Sequence, residues 1–289
     1  MRRVILGDTG IETSALGFGC ASLGTRSDAA DGRRALAAAF DAGVTWLDLA
    51  PVYGGGQAEA IAAPFLRAHR GAVQVCTKAG LALAGGGLRR RLLPIASRAL
   101  ALAGPATARG LKESLKAAAP KANAKPPLTP ALIACSLESS LRTLGTDHVD
   151  LFALHAPDPA EVGRDDILRA LEAVLAAGKA RAVAVAGSAA AAAAALGAGA
   201  PYGVLQVALP EAEAGTAAGV PLLAAAATRR FGTVVHSVLG ARVGDLAPGE
   251  ADRRLARAFA ANSGGVVLVS MLSERSRAAT LAAARAALV

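Results

Sequence analysis

Four polar side chains scattered along the chain, Asp48, Tyr53, Lys78 and His155, have the types needed to move a proton onto a carbonyl oxygen. Carbonyl reduction requires a hydride donor and an acid for the oxygen that becomes an alkoxide. A tyrosine phenol has the reach, but an ordinary pKa of about 10 makes it a reluctant acid near neutrality. A neighbouring ammonium favours the phenolate and eases proton release, the role open to Lys78 beside Tyr53. A carboxylate at Asp48 would hold that ammonium. An imidazole at His155 would orient the carbonyl and donate a hydrogen bond to its developing charge. Singly, each has a plainer reading: a helix cap for Asp48, a surface lysine, a packed tyrosine, a structural histidine. Their joint placement is what favours chemistry.

Each stands at or just past the end of an apolar run that reads as a strand. Asp48 closes Val44–Asp48, with Tyr53 shortly after it; Lys78 ends Val73–Lys78; His155 ends Val149–His155. Parallel barrels collect catalytic groups in this way, from several strand ends at one rim. Around these runs, strand and helix patterns alternate. After a small hairpin (Arg3–Ile5 and Ile11–Thr13 across Gly7–Gly10), strands are expected at Leu16–Gly19, Val44–Asp48, Val73–Thr77, His148–Leu154, Ala180–Val185, Val204–Val207, Thr233–His236 and Val266–Val269. Helices are expected between and after them: Asp31–Ala42, Gln57–Ala68, Thr129–Leu144, Asp165–Ala177, an alanine-rich one from Ser188, one near Ala214–Ala226, Glu250–Ala261 and Glu274–Leu288. About eight such units predict an α/β fold, a (β/α)8 TIM barrel with a short N-terminal β-hairpin. A doubly wound open sheet is the alternative, weakened by the lack of a GxGxxG strand-turn-helix fingerprint. The expectation is a single domain over 1–289 with a long loop or insert around 80–127. That insert carries Arg89–Arg91, read as a solvated basic surface with contact to an acidic substrate as the alternative, and some local helix over Arg91–Ala101.

Composition narrows the function classes. The chain has 289 residues, 53% of them hydrophobic, enough for one large core. Mean hydropathy is +0.42, much of it from alanine, and charged residues interrupt the chain too regularly for a membrane span. With 31 basic and 22 acidic residues the net charge is +9, but the cations are dispersed and aromatics make up 3%, a poor platform for nucleic acid. Cys20, Cys76 and Cys135 lie in or beside apolar segments without metal-ligand spacing and read as buried thiols. The N-terminus lacks the sustained apolar region of a signal peptide. The expectations are a cytoplasmic location, a small-molecule partner, and neither nucleic acid, membrane nor metal.

Local motifs resemble the aldo/keto reductase family over nearly the whole chain. Its Asp-Thr-Ala-x-x-Tyr-Gly pattern followed by Glu is similar to Asp48-Leu49-Ala50-Pro51-Val52-Tyr53-Gly54 with Glu59. Thr77-Lys78 matches the Thr-Lys after the third strand. Ser140-Leu141 through Asp150-Leu151 to His155 matches a long family pattern, and Gly178-Lys179-Ala180-Arg181 resembles Gly-Lys-x-Arg. The resemblance implies a TIM barrel, a nicotinamide cofactor, and Asp48, Tyr53, Lys78 and His155 as a catalytic tetrad. It also implies cofactor contacts at Gln206, at Ser237 and Leu239 within a Tyr-Ser-x-Leu-Gly-like stretch beginning at His236, and at Ser270 and Arg275, with Arg277 as a substitute.

The family's Ser-Asn pair, which holds the nicotinamide carboxamide, is replaced by Ala186-Gly187; Ser188, one residue on, is the cofactor-binding candidate there and compensates only if the loop shifts. The aromatic platform is missing from Val207-Ala208-Leu209-Pro210. Such losses cost about 1–3 kcal/mol in orienting the ring. The resulting expectation is an NAD(P)H-dependent oxidoreductase interconverting a small carbonyl (aldehyde, ketone or sugar-like) and its alcohol. NADP(H) is favoured and NAD(H) admitted. The competing reading is a weakly active or non-catalytic relative acting in regulation or interaction.

Overall fold

The computed structural model describes residues 1–83, 123–209, 221–240 and 246–288. The chain divides into two compact units, Met1–Gly80 with Pro127–Val289, and Leu81–Pro126. In the first unit the hairpin strands are β1 (Arg3–Ile5) and β2 (Glu12–Ser14), paired antiparallel. Eight further strands follow: β3 (Leu16–Gly19), β4 (Trp46–Asp48), β5 (Gln74–Ala79), β6 (Val149–His155), β7 (Ala180–Gly187), β8 (Tyr202–Ala208), β9 (Gly232–His236) and β10 (Val266–Val269). They pair in parallel, in sequence order, and β10 returns to β3 to close the barrel. The open-sheet alternative is thereby excluded. In the second unit, Ala82 and Ala124 exchange backbone hydrogen bonds of 2.9 and 2.8 Å. The expected Arg89–Arg91 surface and the Arg91–Ala101 helix lie outside the described residues.

Buried strands of a closed parallel sheet read as continuous apolar runs because both faces are covered. β6 and β10 show this, with Phe152, Leu154, Val267 and Val269 among their buried residues. Trp46, Phe18 and Phe152 are fully buried, each contributing about 1.5–3 kcal/mol by leaving water. Most helices begin as their sequences dictate. Asp28 caps the Ala29–Asp41 helix by accepting from the Asp31 amide, two residues earlier than pattern alone suggests. Thr129 and Ser188 cap the Pro130–Leu144 and Ala189–Ala198 helices in the same way. The helix expected near Ala214–Ala226 is described from Leu222 to Thr228; residues 210–220 lie outside the described set.

Two polar clusters fasten the barrel. Thr77, on the outward face of β5, donates to Glu59 Oε1 at 2.6 Å and contacts Ser140 Oγ at 3.3 Å, tying the strand to the Ala58–His69 and Pro130–Leu144 helices. Asp150, near the start of β6, accepts from the Val75 amide at 2.9 Å and pairs with Arg70 at 3.0 Å and Arg181 at 2.9 Å. Glu59, Ser140, Asp150 and Arg181 are motif residues whose contacts here are with the scaffold.

Candidate active site

Strand register brings the predicted residues together. Asp48 on β4 stands opposite Cys76 on β5, and Lys78 lies two residues further along the same face. Because strand side chains alternate, Cys76 and Lys78 share the inward face while Thr77 points out to the helices. Across the next strands, His155, Ala186 and Gln206 fall in one row, and Ala208 pairs with His236. Tyr53 reaches this rim from a 3-10 turn, Tyr53–Gly56, in which Gly54 and Gly55 adopt φ of 60° and 65°. A Cβ on Gly54 would lie 1.7 Å from Leu23 O, so only glycine allows this turn to sit against the loop after β3.

Lys78 is 1% exposed and donates to Asp48 Oδ1 at 2.8 Å and Leu49 O at 2.9 Å. Its ammonium lies 4.7 Å from the centre of the Tyr53 ring. Tyr53 Oη is 3.5 Å from Asp48 Oδ2. The Tyr53 and His155 rings meet edge to face, 5.6 Å between centres. Gln206, also buried, donates from Nε2 to Asp48 Oδ1 at 3.0 Å, while the Cys76 thiol faces Gln206 Oε1 at 4.0 Å. Asp48 is thus gripped from three sides.

Burial works against the Lys78 ammonium, but Asp48, the other ionisable neighbours Tyr53 and Cys76, and the hydrogen bond to Asp48 outweigh it and hold Lys78 above its ordinary range. Burial pushes the Tyr53 phenol up; the Lys78 charge and hydrogen bond pull it down, and Asp48 pushes up again. The phenol therefore keeps its proton at neutrality. His155 is pushed down to about 3 by burial and by the Lys78 charge, with Asp48 opposing and His236 adding to the fall. Its imidazole is neutral at physiological pH. Burial raises the Cys20 and Cys76 thiols, so both stay protonated; Cys135, also expected to be buried, is exposed on the Pro130–Leu144 helix.

These groups open into a cavity of about 510 Å³. Asp48, Tyr53, Lys78 and His155 all line it, as do Ser188, Gln206, Ser237, Leu239 and Ser270. Ala186 and Gly187, which stand at the positions of the family's Ser-Asn pair, also line it. His236 faces it too, with its Nδ1 2.9 Å from Ser237 Oγ. Arg275 is exposed and is not among the lining residues. A second cavity, of about 520 Å³, is lined by Arg277, Ser273, Glu274 and the Asp31–Arg34 pair. Arg26 borders both cavities. Nothing in the sequence marked Arg26: it follows a run of small, uncharged residues in the loop after β3, and its place depends on how that loop packs.

A closed eight-stranded parallel barrel with a buried lysine–aspartate pair beside a tyrosine and a histidine defines the class. The chain belongs to the aldo/keto reductase family, whose sequence model matches residues 15–218. It is similar to the 6-dehydroglucose reductase of Agrobacterium fabrum, 30% identical over 188 residues (63% of this chain, 52% of the relative). It is also similar to the aldo-keto reductase YhdN of Bacillus subtilis, 29% identical over 189 residues (63% and 46%). The matched region spans about half the length of these curated relatives. Among solved structures, an aldo-keto reductase from Bacillus halodurans in holo form superposes with a TM-score of 0.72 at 19% identity, covering 98% of this chain and 90% of that one. At that identity the likeness bears on the fold alone. Among the described residues no helix is long and apolar enough to cross a membrane.

Proposed function

We propose that this protein is an NAD(P)H-dependent oxidoreductase that interconverts a small carbonyl compound and its alcohol, with Tyr53 as the proton donor. The observation that carries this reading is the buried Lys78 ammonium, held 2.8 Å from Asp48 and 4.7 Å from the Tyr53 ring centre, at the edge of a cavity. A buried cation is costly unless paired, and a purely structural role gives no reason to set it against a tyrosine at an open rim. The same proposal includes a single barrel domain with an insert around 80–127, and the cytoplasm as compartment.

The lining supports a nicotinamide cofactor in this cavity. Ser188, Gln206, Ser237 and Ser270 offer hydroxyl and amide partners, and Ala186 with Gly187 leaves room for a flat ring. When bound, the reduced nicotinamide supplies the hydride. The remaining chemistry belongs to the protein. Tyr53 Oη–H breaks and its proton passes to the carbonyl oxygen as that oxygen gains charge. The Lys78 ammonium stabilises the phenolate left behind, and Asp48 keeps Lys78 in place. Gln206 Nε2 holds Asp48 Oδ1, so the carboxylate is fixed by two nitrogen donors. His155 is neutral and acts as a hydrogen-bond donor that orients the carbonyl. We favour NADP(H) over NAD(H), because Arg277 and Ser273 at the start of the Glu274–Ala287 helix line the second cavity, where a helix N-terminus and a cation suit a phosphate. Titration with NADPH and NADH, followed by nicotinamide fluorescence, tests the cofactor. A panel of aldehydes and ketones tests turnover. Failure of both cofactors to bind at millimolar concentration would overturn the reading.

A further inference from the structure

We propose that Arg26 recognises an anionic group on the substrate, so that the preferred carbonyl compounds carry a carboxylate or phosphate; this rests on the reductase reading above. Among the described residues the catalytic cavity is lined by one acidic side chain, Asp48, and that charge is cancelled by Lys78 at 2.8 Å. His155 contributes no charge at neutrality. Arg26 is exposed at the cavity edge, and among the described residues no carboxylate pairs with it. Asp31, across the neighbouring cavity, is taken up by Arg34. Among the described residues, Arg26 is therefore the cation of the lining that no carboxylate compensates. A guanidinium in that state favours a planar or tetrahedral oxyanion through paired hydrogen bonds.

The loop that carries Arg26 ties it to the proton donor. Its backbone is folded on itself, with the Thr25 and Arg26 amides both donating to Ser22 O at 3.1 and 3.0 Å. The Gly54 amide, next to Tyr53, donates to Ala21 O at 3.0 Å, and a Cβ on Gly54 would lie 1.7 Å from Leu23 O. Arg26 is thus anchored to the turn that presents Tyr53. The serines and Gln206 expected to meet the nicotinamide end of the cofactor come instead from the ends of β7 to β10, while Arg26 also borders the second cavity, where the cofactor phosphate is proposed. A substrate with its carbonyl at Tyr53 and an anion directed along this loop would meet Arg26.

The same guanidinium chemistry would also suit a cofactor phosphate, and the experiment separates the two. Wild type, Arg26→Gln and Arg26→Lys are assayed with 4-carboxybenzaldehyde and benzaldehyde, and NADPH and NADH dissociation constants are measured alongside. We expect wild type to prefer the anionic aldehyde. The ratio of kcat/KM values should fall at least tenfold in Arg26→Gln, mainly through KM, and recover in part in Arg26→Lys. The preference should shrink as salt rises, as for an exposed charge. An unmoved ratio overturns the proposal, and so does a loss confined to cofactor affinity, which would assign Arg26 to the cofactor. Should neither aldehyde be turned over, the reductase reading fails separately. Saturation-transfer NMR of the two aldehydes then decides the anion site: binding of the carboxylate that Arg26→Gln weakens supports it, and equal binding to both proteins overturns it.

Discussion

Tyr53 keeps its proton because burial opposes the phenolate more strongly than Lys78 favours it. That is the resting condition required of a proton donor. Replacing Tyr53 with Phe removes the proton while keeping the ring edge against His155, so carbonyl reduction should fall roughly 10²- to 10⁴-fold. Cofactor affinity should stay near wild type in fluorescence titration; an equally active variant would remove Tyr53 from the mechanism. His155 makes a prediction in pH. Its folded pKa of about 3 lies below the ordinary 6.5, so between these values the unfolded chain binds the proton that the folded chain refuses. The contribution is complete above pH 6.5 and is lost progressively as pH falls toward 3. Urea unfolding of His155→Gln should therefore show a shallower loss of stability across that window than wild type. An unchanged slope would mean that His155 is not the group responsible.

Among the elements, the 3-10 turn after β4 decides where the phenol goes. Gly54 combines a positive φ with an approach to Leu23 O that no Cβ could share. Gly54→Ala should cost roughly 1–3 kcal/mol in stability. It should also lower kcat, because Tyr53 is the neighbouring residue; thermal unfolding and steady-state assays read the two effects separately. Stability and kcat both at wild-type levels would show that the turn can move without consequence. The outward Thr77 has a different task from its neighbours Cys76 and Lys78. By bonding to Glu59 and Ser140 it holds β5 against two helices, and so fixes the height at which Lys78 enters the barrel.

Across the whole molecule, closure of β10 onto β3 puts residues distant in sequence on one rim: Gly19, Asp48, His155, Gln206, His236 and Ser270 line a single cavity. The start of β6 and β7 carries a separate charged cluster, Asp150 with Arg70 and Arg181. Asp150→Asn should lower stability by roughly 1–3 kcal/mol, the worth of hydrogen bonds to a charged group. It should leave kcat unchanged, because Asp150 and His155 stand at opposite ends of β6. A fall in kcat without a fall in stability would contradict this division between scaffold and chemistry.

The strand and helix pattern, and the four polar residues at strand ends, were legible from local sequence because periodicity and residue type are local properties. Most strand bounds agree within a residue or two, and the resemblance to aldo/keto reductases rested on contiguous motifs. Those motifs did not reveal which residues meet ligand and which hold the scaffold. Glu59, Asp150 and Arg181 look as conspicuous in sequence as Lys78, yet their contacts serve packing. Arg26 shows the reverse, with no local signal and a position on the cavity edge. Gln206 bonded to Asp48, Arg275 turned to solvent and Arg277 beside the second cavity are equally products of register and loop packing. Contacts between residues far apart in sequence depend on barrel closure and side-chain direction, so only the tertiary structure decides them.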